Sequence, residues 1–152
     1  MVNKMKEKNE LLMHIYNTAY MGEYSTNKLL TNLKNKDNKI KKVLEDELKE
    51  YESYKKKSEK LILKSKLELP TTSIMTKMSS SMGIMMETIK DNSDAAIASM
   101  LTEGFTMGIV EMETKIKSYK DIVPNSTIKL AKNLLKFQQK EIEILKTFML
   151  CC

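Results

Sequence analysis

The chain has 152 residues, 41% hydrophobic and 30% charged, a size and balance that fit one soluble domain able to bury its own core. Four Gly and two Pro leave few turn signals and argue against a many-stranded sheet. The formal charge is +6 and all 26 basic residues are Lys, so the planar fork that reads guanine or clamps phosphate is missing. Sequence-specific nucleic-acid binding is therefore not expected, and the charge leaves at most weak polyanion binding through lysine faces.

The first element is a helix expected over 4–34. Leu12, Ile15, Ala19, Gly22, Thr26, Leu29 and Leu33 step by three and four, a seam of coiled-coil type. Asn35-Lys36-Asp37-Asn38 breaks that pattern and offers Asp37 or Asn38 as the next cap. A second helix follows over 38–66, antiparallel to the first because the connection is short. Ile40, Leu44, Glu47, Tyr51, Tyr54, Ser58, Leu61 and Ser65 hold its seam, and Leu69-Pro70 ends it.

A shorter Met-rich helix is expected over 72–91. Met75, Met78, Met82, Met85 and Met86 give it a soft apolar stripe suited to core packing or to association with another chain. Ser93 caps a long helix over 93–120. Ile97, Leu101, Gly104, Gly108 and Glu111 form one stripe there, and Phe105, Ile109, Met112, Ile116 and Tyr119 a second. A helix apolar over so much of its circumference should be a two-sided hub. Gly104 and Gly108 each cost about 1 kcal/mol against Ala in a helix. They read as a flat spot for close approach of the first helix at Ala19 and Gly22. Pro124 stops this helix, Ser126 can cap the last one over 126–150, and Ala131, Leu134, Leu135, Gln138, Ile142, Leu145 and Met149 face inward.

The chemistry-bearing residues are few. His14 is the one histidine, and Cys151 and Cys152 are the two cysteines. Neither supports a disulfide framework, a zinc site or a nucleophile–base pair, so no catalytic residue is assigned and a non-enzymatic role in a reducing, cytoplasmic setting is expected. No run of about 18 apolar residues suggests a membrane span. Glu47 and Glu111 fall on seams, and Glu23 and Glu141 flank theirs. Carboxylates facing a bundle interior are costly unless paired or metal-bound, so these four are the candidate ligands for a hard ion. The plainer reading makes them boundary residues bonded to Tyr51, Tyr54, Gln138 or lysines.

The helix lengths, their order and the long Met-rich connection resemble the ferritin-like four-helix-bundle superfamily, and in particular bacterial ferritin-like proteins without an intact di-iron motif. The resemblance implies an all-α bundle of four long helices in one domain over 1–152, with the Met-rich segment as crossover between the second and third. The family's di-metal site uses a Glu from each of two helices and Glu-x-x-His from each of the other two. One histidine cannot supply two such motifs. What remains is helix-mediated association, expected as a homo-oligomer, or an interior-carboxylate site for a small ligand or a divalent ion such as Fe or Mn.

Overall fold

The computed structural model describes residues 2–70 and 91–150, with side chains from Asn9 onward, and among the described residues there are four α-helices and no strand. They are α1 (Val2–Asn32), α2 (Lys41–Lys64), α3 (Asp94–Tyr119) and α4 (Asn125–Met149). All four expected long helices are present, each displaced by no more than a few residues. The Met-rich helix expected over 72–91, with Met75, Met78, Met82, Met85 and Met86, lies outside the described residues, as do Cys151 and Cys152.

The helix ends fix the chain's direction. Residue Lys66 takes φ 59°, in the left-handed region. Its N–H donates to the Leu63 carbonyl and the Leu67 N–H reaches back to Ile62, at 3.0 and 3.1 Å. That paired pattern is a Schellman stop. It ends α2 ahead of Pro70, and it turns Leu67 and Leu69 onto a small cluster of Leu12, Tyr16 and Ile62. Ser93 caps α3 as expected, its Oγ accepting from the Ala96 N–H at 3.2 Å. No side chain of α2's own start caps that helix. Asp94 does so from α3, accepting from the Asn38 side chain and from the Lys39 and Ile40 N–H groups. α4 follows Pro124 with no side-chain cap, so the expected cap at Ser126 is absent.

Asp94 therefore places the start of α3 beside the start of α2. At the opposite end, Lys115 and Tyr119 of α3 reach Glu10 of α1 at 3.1 and 2.5 Å. α3 thus runs antiparallel to α1 and in the same direction as α2. The tight turn at Asp121–Pro124 then returns the chain through α4.

The α1 seam is buried as its spacing predicts: Leu12, Ile15, Ala19, Thr26, Leu29 and Leu33 are all in the interior. So are Leu44, Tyr51, Tyr54 and Ser58 of α2, with Ile62 in place of the expected Leu61. Side chains such as Ile15, Leu44, Ile97, Leu134 and Leu145 lose all contact with solvent, each contributing roughly 1.5–3 kcal/mol of hydrophobic stabilisation.

α3 is not the hub. α1 and α4 each pack against all three other helices, whereas α2 and α3 pack against those two. Only Ile97, Ala98, Phe105 and Met112 of α3 are fully buried, while Met107 and Val110 are 69% and 60% exposed. The hydroxyls of Thr102, Thr106 and Thr114 bond to carbonyls one turn back on their own helix. The neighbours expected for its second stripe, the Met-rich segment or a partner chain, lie outside the described residues.

Candidate functional site

Glu47 on α2 and Glu141 on α4 meet inside the bundle. They are 1% and 6% exposed. The α4 stripe runs Leu130, Leu134, Phe137, Glu141 and Leu145, in steps of three and four, so Glu141 occupies a core position on the line that carries the leucines. Glu47 sits between Leu44 and Tyr51 on the α2 seam. Burial pushes the Glu47 carboxyl well above the usual carboxylate range, and the hydrogen bond and charge of Glu141 push it further. Burial also raises Glu141, opposed by the bond with Glu47 and by Lys140. The pair therefore holds a proton more tightly than free carboxyls do, because two bare charges in a dry interior repel each other.

Beyond each other, Glu47 and Glu141 have no hydrogen-bond partner among the described residues, and Gln138 Oε1, one turn from Glu141, is buried without one. An unpaired buried acceptor costs about 1–3 kcal/mol. Among the described residues no lysine is bonded to either acid. Around them stands an aromatic cluster. The Phe137 ring contacts Tyr51 edge-on at 5.3 Å, Tyr54 at 5.9 Å and Phe105 at 6.0 Å between centroids. Burial drives the Tyr51 phenol well above its ordinary range, and the charges of Glu47 and Glu141 add to the effect.

Glu141, not Glu47, borders a groove on the surface. This groove of about 570 Å³ between α2 and α4 is lined by Glu141, Phe137 and Tyr54 within, and by Asp46, Glu50, Lys49, Lys136 and Lys140 among its walls. Its volume is in the range of small-molecule sites.

Glu23 and Glu111 are elsewhere. Glu23 binds Lys55 at 2.8 Å, on the outer side of the α1–α2 contact, beside Tyr20. Glu111 is 58% exposed and faces His14 Nδ1 at 3.8 Å. His14 itself is buried, which lowers its basicity despite Glu111. The four candidate carboxylates do not converge: Glu47 and Glu141 pair, whereas Glu23 bonds a lysine as the plainer reading has it and Glu111 lies at the surface. Among the described residues no group of three or more His, Cys, Asp or Glu is placed to hold a metal ion. The spacing misassigned Glu111 and Glu141: the first points outward and the second is the core residue. The leucine line through Glu141 was the signal that could have shown it.

The glycines also divide. A Cβ at Gly22 would collide with the Tyr51 ring, and one at Gly108 would lie 2.8 Å from Gln138 Nε2. Gly104 faces open space. The expected flat crossing of Gly104 and Gly108 on α1 at Ala19 and Gly22 is therefore not formed. Gly22 instead receives an α2 ring, and Gly108 an α4 amide.

Family models, curated proteins and solved structures give no match to this chain. Among the described residues no helix is long and apolar enough to cross a membrane.

Proposed function

We propose that this chain is a ferritin-like bundle that works by binding, not catalysis, and that it takes up a small cation at Glu47 and Glu141 in place of their shared proton. The observation that carries the reading is the burial of two carboxyl groups, Glu47 and Glu141, against each other with no basic partner among the described residues. Support for the ferritin-like part comes from the common direction of α2 and α3, which a short hairpin turn cannot join. The family's di-metal centre does not fit these residues. Its carboxylate set is reduced to two, and the one histidine faces Glu111 away from them.

Thermal unfolding tests the reading. A ligand that binds only the folded state stabilises it in proportion to ln(1 + [L]/Kd). A panel of MgCl2, MnCl2, CaCl2 and alkylammonium salts at pH 7.5 should contain a cation that raises the melting temperature of the wild type and leaves Glu47→Gln/Glu141→Gln unchanged. A panel with no such cation sinks the proposal.

The exposed face of α3 favours a second reading, self-association. Met107 and Val110 are exposed beside open Gly104, a poor arrangement for a monomer in water. Light scattering at micromolar concentrations should then show an oligomer that Met107→Glu/Val110→Glu dissociates; a wild-type monomer throughout removes this reading.

A further inference from the structure

The chain leaves α2 at one end of the bundle and begins α3 at the other, because the two helices run in the same direction. The described ends of that connection say where it starts and finishes. After the Schellman stop, Leu67 and Leu69 lie on Leu12, Tyr16 and Ile62, with Tyr20 at the edge of the same cluster. The chain therefore leaves α2 across the outer side of the α1–α2 contact. At the far end the Asn92 carbonyl accepts from the Asn38 side chain at 2.9 Å, in the turn that joins α1 to α2. Both ends are held on the α1–α2 pair.

Between those ends lies a groove of about 480 Å³, lined by Tyr20, Tyr24, Asn27 and Thr31 of α1 and bordered by the Glu23–Lys55 pair. Tyr16, Tyr20 and Tyr24 step by four, so they form one stripe along α1. The Tyr16 and Tyr20 rings stand 6.2 Å apart between centroids. Tyr24 continues the stripe and is 50% exposed. The residues between the two described ends are 71–90, and they include Met75, Met78, Met82, Met85 and Met86. Thioether side chains pack favourably on aromatic rings. The length agrees as well. From Tyr16 to the end of α1 at Asn32 is about 24 Å, and the 71–90 stretch would cover about 30 Å if helical.

We propose that residues 71–90 dock along this groove, their methionines on the Tyr20 and Tyr24 rings, so that the tyrosine stripe of α1 is the seat of the chain's own connection. The proposal rests on the common direction of α2 and α3 and is independent of the cation reading. It also separates two surfaces. The connection covers α1 and α2, and the exposed face of α3 at Met107 and Val110 stays open to a second copy of the chain.

Cysteine pairs in the full chain, on a Cys151→Ser/Cys152→Ser background, test this. Counted in step with α1 from Leu69 beside Tyr16, Met78 and Met82 come level with Tyr24 and Asn27. Tyr24→Cys with Met78→Cys, and Asn27→Cys with Met82→Cys, should each form a disulfide within one chain under mild oxidation, read by peptide mapping at low micromolar protein. Both α1 positions are exposed, so the helical circular dichroism should be kept, and either pair decides alone if the other variant loses that signal. Glu103→Cys with Met78→Cys is the control, at a similar height on the exposed face of α3. It should link at least about tenfold more slowly, because a disulfide needs Cα atoms within about 7 Å. A Glu103 pair that links as fast as the α1 pairs overturns the proposal and seats the connection on α3. Links formed only between chains overturn it in favour of a second copy in the groove. No link at either α1 position overturns it outright.

Discussion

Two kinds of acid coexist in this bundle, and their surroundings differ sharply. At the α1–α3 end, Glu10 has Lys115 and the Tyr119 hydroxyl. On the outer side of α1 and α2, Glu23 has Lys55 at 2.8 Å. In the middle, Glu47 and Glu141 have only each other among the described residues. Surface pairs of the first kind contribute about 0–1 kcal/mol and need no further explanation. An interior pair of acids without a basic partner costs stability, and a cation is the partner that would offset the cost.

The largest break in that contrast should come from moving the wall of the interior site. Tyr51 lies between Gly22 and the acid pair, and a Cβ at Gly22 already meets its ring. Gly22→Leu should therefore force the ring from its place and destabilise the protein by roughly 3 kcal/mol, seen as a lower denaturant midpoint. The same substitution at Gly104 has free space and gains helix propensity. Equal midpoints for the two variants would show that the Gly22–Tyr51 contact carries no strain-free fit worth disturbing.

Much of this arrangement was readable from residue spacing, and the failures share a cause. The seams of α1 and α2 are strict three–four patterns with polar flanks, so the buried side is unambiguous. α3 is apolar nearly all round, and spacing alone cannot say which side will go without a neighbour. Glu111 fell on an apolar stripe of α3 and was placed inside for that reason; the stripe turned out to face solvent at that point. Glu141 sat beside the stripe drawn through Ile142 and Leu145, yet the buried line passes through Phe137 and Glu141. A rotation of the α4 face by a fraction of a turn moves one carboxylate from flank to core. Interhelical facts of this sort, including the Gly22–Tyr51 and Gly108–Gln138 contacts, depend on which helices are neighbours, and no single helix's periodicity contains that.

The smaller effects are in the pH dependence, where the two kinds of acid should act in opposite directions. The folded state raises the affinity of Glu47 and Glu141 for protons. Their contribution is present in acid and is lost as pH rises from the ordinary carboxylate range through their raised values. Glu47→Gln keeps the shape and removes that loss, so at pH 8 it should be more stable than the wild type by about 1 kcal/mol or more. The Tyr119 hydroxyl and Lys115 hold Glu10 below its ordinary value. Its contribution is present above that value and fades as pH falls through the lowered one, and solvent screening keeps it under about 1 kcal/mol. Glu10→Gln should thus lower stability slightly at pH 7 and converge on the wild type near pH 3. Denaturant midpoints across pH 3–8 for the two variants should diverge from the wild type at opposite ends of the range. If both diverge at the same end, burial and pairing are not what separates these acids. Opposite ends would leave the interior pair as the one place where raising pH creates a charge that a cation can satisfy.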